Sequence, residues 1–302
     1  MKTAWLAFSV PLLATSELVA HLFFAHRAPT PDQWAASKPA VQAAYRPGQA
    51  VVIAPYWAEP MARWKFGDQL MPLRDVARPD MTRYPEAIEV SAMGARSPEL
   101  EGWPVRSETK AGPLAIRTRI NPKPVTVTFD FTDHVDPQSA DVRIERGSSG
   151  SACTHTDSAP LESGGLGGPP TYPAARFRCA SEPNYVFVGV TIIEDQDYRP
   201  RRCIWSHPPP GAEMVTRFRS VPLGNVVRGH TGMGWLHERD GTGPSFTIRV
   251  FVDGNEVGST KHWDGDGWKA FEIPLGLAAH TTADVEFRAA GANHVCFEAD
   301  SR

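Results

Sequence analysis

The chain has almost no charge surplus: 31 lysines and arginines against 34 aspartates and glutamates leave a formal net charge of −3. A nucleic-acid binder carries a clustered basic excess, so nucleic acid is not an expected partner. Cysteines are few and late. Cys153, Cys179, Cys203 and Cys296 are the whole set, and no two stand in a C-x-x-C spacing. Zinc ribbons and thioredoxin-type redox chemistry therefore have no framework here. A G-x-S-x-G elbow, an H-E-x-x-H pair, an N-x-S/T sequon and a glycine-rich phosphate loop are also missing. Serine-nucleophile, zinc-peptidase and nucleotide-binding readings lose their usual support.

What is abundant is proline, 28 residues, and glycine, 25 residues, in a chain of 302. Proline interrupts helices and central strands, so many short elements and loops are expected. The apolar fraction of 41% is enough for a core. One long hydrophobic run stands out, AWLAFSVPLLATSELVAHLFFA from Ala4 to Ala25. As a helix rising about 1.5 Å per residue, it would just cross a hydrocarbon layer of ~30 Å. The sole small-residue cleavage candidate is Ala14-Thr15-Ser16, and apolar sequence resumes after it. A retained membrane anchor is thus expected over a cleaved signal peptide, although it must tolerate Pro11, Glu17 and His21. Glu17 and His21 are four apart and would share a helical face.

Behind such a segment, an even number of cysteines implies two disulfides formed in an oxidising compartment. The expected location is a bacterial-type cell envelope, with the C-terminal domains outside the cytoplasm. Strand parity bears on the pairing. In HVCFEA, Val295 and Phe297 alternate with Cys296; in RRCIWS, Ile204 alternates with Cys203. Cys203 and Cys296 then share the face opposite the core and can be joined. Cys153–Cys179 would staple a glycine-rich loop, a gain of about 3 kcal/mol in the chain-entropy picture. The other two connectivities stay open.

The fold class expected is α+β, mainly β, in three parts. Residues 1–27 form the anchor or signal segment. Residues 28–122 form a small α/β domain, and residues 123–302 an antiparallel β-sandwich of jelly-roll type. Pro31-Asp32 opens a helix that Arg46-Pro47-Gly48 stops. VVIAPYW (51–57) and AIEVSAM (87–93) read as strands with a short helix at 59–70 between them, and 103–120 as a hairpin turning at Lys110-Ala111-Gly112. From residue 123 the period becomes two. VTVTFDF (125–131) aligns Val125, Val127, Phe129 and Phe131, and SFTIRVFV (245–252) aligns Phe246, Ile248, Val250 and Val252. Residues 147–175 read as a long loop, and YVFVGVTII (185–193) as a central strand covered on both sides. KAFEIPL, DVEFRA and HVCFEA follow at sandwich-like intervals.

Three clusters could carry chemistry. His262-Trp263-Asp264-Gly265-Asp266-Gly267-Trp268 places two carboxylates at a glycine turn, as a calcium site does, without the later glutamate of an EF-hand. Its competing reading is an ordinary turn. Trp263 and Trp268 flank it, and exposed tryptophans near carboxylates hold sugars by stacking on C–H faces. Residues 228–240 add Trp235 and His237 in a glycine-dense loop. Glu194-Asp195-Gln196-Asp197, followed by Arg199, Arg201 and Arg202, could serve as a glycosidase carboxylate pair, or simply as carboxylate–arginine pairing.

V-F-V-D-G (250–254), D-G-D-G-W (264–268) and F-E-I-P-L (271–275) are similar to galactose-binding-like jelly rolls, a resemblance covering about residues 213–302. That resemblance implies a carbohydrate-binding module, with a structural calcium at Asp264 and Asp266. The pattern P-G-Q-A-V-V-I-A-P (47–55), A-I-E-V-S (87–91) and the hairpin resembles the soluble segment of some membrane glycosyltransferases over residues 32–121. It lacks their multiple spans, so transferase activity is not implied. The functional expectation is a membrane-tethered, exported envelope protein that binds a glycan or envelope polymer through Trp235, His237, Trp263 and Trp268. The alternatives are a polysaccharide-acting hydrolase and a non-catalytic subunit docking on a membrane complex. They are distinguished by two facing carboxylates or by an uncovered apolar patch on residues 50–100.

Overall fold

The computed structural model describes residues 2–160, 172–180, 182–276, 281–291 and 294–302. The chain divides into two units: residues 1–76 with 80–124, and residues 77–79 with 125–302. Residues 161–171 of the expected loop lie outside the described residues.

In the first unit, the hydrophobic run folds as helix α1 (Lys2–Arg27). Yet no helix among the described residues is long and apolar enough to cross a membrane. This corrects the expected span. Helix α2 (Pro31–Ala44) begins in a capping box: Gln33 N–H donates to Thr30 Oγ1 at 3.3 Å, and Thr30 N–H to Gln33 Oε1 at 2.8 Å. Helices α3 (Glu59–Phe66) and α4 (Leu73–Val76) follow strand β1 (Ala50–Ala54). Strands β2 (Glu86–Ala92), β3 (Val105–Ala111) and β4 (Leu114–Ile120) complete a sheet of order β1-β2-β4-β3, in which only β1 and β2 are parallel.

Both faces of that sheet are covered. Val51, Ile53, Ile88, Val90 and Ile116 pack under Trp34, Val41 and Phe66 of α2 and α3. On the other face, Ala50, Val52 and Ala87 meet Met81, Tyr84, Leu100 and Trp103. The same face buries Glu89, which accepts the Ser97 N–H at 2.8 Å and lies 3.4 Å from both Arg117 and Arg119. A charge so deep is tolerable only with such partners.

The second unit is a β-sandwich. Its strands are β5 (Phe129–Asp130), β6 (Ala140–Arg146), β7 (Ser149–Thr156), β8 (Arg176–Arg178), β9 (Phe187–Glu194) and β10 (Pro200–Ser206). They continue as β11 (Glu213–Pro222), β12 (Val226–Gly232), β13 (Phe246–Val252), β14 (Asn255–His262), β15 (Lys269–Pro274), β16 (Thr282–Ala290) and β17 (Cys296–Ser301). One sheet runs β14-β13-β16-β11-β6-β7 and the other β8-β9-β10-β17-β12-β15, with β5 beside β17. Strand β7 belongs to both: residues 149–153 pair with β6, and Thr154–Thr156 pair with β8. Every pairing is antiparallel, and Val142, Ile204, Val250, Phe287 and Phe297 from the two sheets meet in one core.

Parity holds where the alternation was clear. Phe246, Ile248, Val250 and Val252 all point into that core. Strand β9 is covered on both sides, with Val188 in the main core and Phe187 and Ile193 in a second cluster. Cys203 and Cys296 lie in that second cluster, opposite Ile204 and Phe297, and form one disulfide. Cys153 and Cys179 form the other. Two expectations are corrected. Residues 125–131 are strand only at Phe129–Asp130, because Asp130 Oδ1 accepts the Thr132 N–H at 3.0 Å and starts a 3-10 turn. Part of the expected loop is strand β7, reached through a turn with Gly147 at φ +59°. Its exposed side chains carry no apolar alternation to announce it.

Candidate functional site

Three loops of the second unit converge around Glu238, which ends the short helix α5 (Trp235–Glu238) and is fully buried. Its Oε1 lies 2.5 Å from His262 Nε2 and accepts the Gly267 N–H at 2.9 Å. Its backbone carbonyl accepts Gln196 Nε2 at 3.0 Å. One residue, through its side chain and its backbone carbonyl, thus ties residues 195–199, 234–244 and 263–267 together. His262 is itself buried, stacks on Phe246 at 4.8 Å, and has Nδ1 3.0 Å from Thr231 Oγ1. The order hydroxyl, imidazole, carboxylate has the form of a nucleophilic triad, but Thr231, His262 and Glu238 are all enclosed. A substrate cannot reach the hydroxyl, so the chain of contacts holds the loops. Sequence reading missed it because the three residues lie on separate elements.

The expected ligand residues separate on this frame. Trp263 is 53% exposed, with the Lys261 ammonium 3.8 Å from its ring centroid. Trp235 is half-buried, tilted against Tyr198 at 5.1 Å and flanked by the Arg239 guanidinium at 5.2 Å. Tyr198, not expected as a site residue, is 55% exposed. Trp268 turns inward: it packs on the cluster around the Cys203–Cys296 disulfide and stacks on His230, which bonds Glu298 at 2.6 Å. A Cβ at Gly232 would come within 2.3 Å of the Trp268 ring, so only glycine permits that packing. Trp268 is therefore a packing residue in this arrangement.

His237 belongs to a group the sequence did not announce. Its ring stacks on His294 at 3.7 Å, and His294 meets His207 at 4.9 Å and Trp205 at 5.3 Å. Burial, with His237 adding to it, lowers the His207 pKa to about 4. Burial, then His237 and His207, lowers His294 to about 3. His237 is lowered too, by burial that the Asp264 carboxylate opposes. Three uncharged imidazoles thus pack together at neutral pH.

The two aspartates do not fit calcium. Asp264 Oδ2 accepts the Gly243 N–H, and Asp266 Oδ2 accepts the Trp263 N–H at 3.0 Å. The cation beside Asp266 is the Lys269 ammonium, at 2.7 Å. Burial pushes the Asp266 carboxyl up, but Lys269 and the Trp263 N–H outweigh it and hold it low. Hard cations want six to eight oxygens, and among the described residues no three metal-ligating side chains gather. The third cluster is also a turn: Asp195 accepts the Asp197 and Arg199 N–H groups at 2.9 and 3.0 Å and pairs with Arg201 at 2.7 Å.

No family model and no curated protein matches this chain. Among solved structures it is similar to the CBM51-2 and INT domains of Clostridium perfringens ZmpB, in two structures of which one is in complex with GlcNAc. Identities are 13% and 12%, over 69% of this chain and 46% of that one, with a TM-score of 0.27 for each. It is also similar to a glycoside hydrolase family 43 arabinoxylan arabinofuranohydrolase from Bacillus subtilis in complex with cellotetraose. There identity is 10%, over 71% of this chain and 50% of that one, with a TM-score of 0.26. The chain spans half or less of the length of each. Likenesses this slight carry no argument about fold or ligand.

Proposed function

We propose that the second unit binds a carbohydrate on the surface made by residues 195–199, 234–244 and 263–267, in an oxidising, extracytoplasmic compartment. The observation that supports this most directly is the exposure of Trp263 and Tyr198 on loops pinned by one buried residue, Glu238. Exposed aromatic rings on a rigid frame stack on sugar C–H faces at little entropic cost. Asp240 and His237 on the same loops supply acceptors and donors for hydroxyls. The compartment follows from two disulfides in a unit of modest size.

The test is a glycan-array screen of the full chain with and without calcium. Retention of a glycan is expected in both conditions, because Asp266 already pairs with Lys269 and Asp264 Oδ2 with the Gly243 N–H. Trp263→Ala and Tyr198→Ala should each weaken that binding about tenfold, the loss of one stacking contact. An array that retains nothing in either condition removes the reading.

A further inference from the structure

We infer that His207, His237 and His294 form an acid-operated latch on the loop 234–244: uncharged they hold it closed, and protonated they release it together with its ligand. That this ligand is a glycan rests on the surface proposed above; the loop movement does not. Each imidazole comes from a different element. His207 follows β10 and His294 precedes β17, and the Ser206 N–H donates to the Val295 carbonyl at 2.9 Å, which sets the two side by side at the end of one ladder. His237 is on α5, in the loop. Its ring lies flat on His294, with 3.7 Å between centroids and 12° between planes, and His207 meets His294 edge-on at 4.9 Å. Between Trp235 and Pro244 only Glu238 is buried, so the loop has little apolar contact of its own and the stack is a large part of what seats it.

The surroundings suit neutral rings and not charged ones. Trp205 lies 5.3 Å from His294 and 6.0 Å from His207, and Tyr185 lies 5.1 Å from His207. Nδ1 of His207 and Nδ1 of His294 are buried, with no hydrogen-bond partner among the described residues. The carboxylate that acts on His237 is Asp264, which favours a charge there against burial. On α5 itself, Glu238 is turned to His262 and Arg239 to Trp235. Acid therefore places cations in contact with one another, and a charge on His207 or His294 has no carboxylate beside it. Burial first, and then the neighbouring imidazoles, lower His207 to about 4 and His294 to about 3. Lifting His237 away returns both towards the solvent value of about 6.5. The open loop then binds more protons than the closed one. Above that value the closed form keeps its full advantage; below it, each imidazole raises the ratio of open to closed by up to about tenfold per pH unit, until its closed-state value is reached.

The test is amide hydrogen exchange of the full chain at neutral pH and at about pH 5, corrected for the intrinsic rate, beside a glycan array under both conditions. Protection of residues 234–244 should fall at least about tenfold in acid, while strand β13 keeps its protection, and the array signal should fall with the loop. His207→Asn with His294→Asn should keep the loop protected and the glycan bound in acid. His207→Asn alone, which leaves the stacked pair in place, should make the fall less steep, as expected when one of the titrating imidazoles is gone. A wild-type loop equally protected under both conditions overturns the inference, and so does a fall as steep in both variants as in the wild type. A loop that opens while the glycan stays bound overturns the release. An array that is empty under both conditions, with a loop that still opens in acid, removes the glycan reading and leaves the latch.

Discussion

Glu238 holds the proposed glycan surface without being on it. Three contacts from one buried carboxylate residue set the positions of Gln196, His262 and Gly267. Removing one partner of a buried pair costs about 3 kcal/mol or more, because the other is left desolvated and alone. Glu238→Ala should therefore lower unfolding stability by about that amount in urea. It should also weaken glycan binding with Trp263 and Tyr198 intact; unchanged stability would show the contact to be dispensable. The imidazole group acts on pH. The His207 and His294 pKa values, about 4 and 3, lie below an unfolded value near ~6.5. The unfolded chain then binds more protons in acid. Their stabilisation is fully present above that unfolded value and is lost as pH falls through the folded ones, in total on the order of a few kcal/mol. His207→Asn with His294→Asn should flatten the fall in stability between neutral pH and about 4, measured by urea titration. An equally steep fall in the variant would assign the acid sensitivity elsewhere.

At the scale of elements, local signals differ in how much they say. Strand β13 was legible because its four apolar residues alternate and its turn pair, Asp253-Gly254, sits where φ is positive for both. The segment at 125–131 alternates as cleanly, yet Asp130 captures a nearby N–H and pairs with Arg78 at 2.6 Å, ending the strand. A side chain competing with the ladder does not alter the hydrophobic pattern. The outer face of the β13-β16-β11-β6 sheet is an ion-pair network that reads only as polar alternation. Arg143 reaches Glu145 and Glu286, and Arg288 reaches Glu286 and Glu145. Burial raises the Glu286 carboxyl, and Arg288 and Arg143 more than reverse it. The Cys153–Cys179 disulfide links β7 to the residue after β8 across a separation of 26. Cys153→Ser with Cys179→Ser should cost about 3 kcal/mol, read as a lower urea midpoint at constant slope. An unchanged midpoint would mean that strand pairing alone closes this loop.

On the scale of the whole chain, both disulfides belong to the second unit, and the first has no cysteine at all. Reductant should therefore raise amide hydrogen exchange within residues 125–302 and leave residues 31–76 and 80–124 unchanged; exchange rising equally in both would refute that division of labour. The chain by itself determined the class of fold, most strand faces, the parity that lets Cys203 and Cys296 share a face, and the absence of several catalytic motifs. Those features follow from period, spacing and composition, which are local. Only tertiary structure decided that Trp268 packs inward while Tyr198 stays exposed. It alone brought Glu238 to His262 and gathered His207, His237 and His294. It also set the 77–79 segment within the second unit and left Trp57 and Trp64 uncovered. Contacts between distant elements depend on which faces meet, and a tryptophan's spacing in sequence is the same whether or not another element covers it.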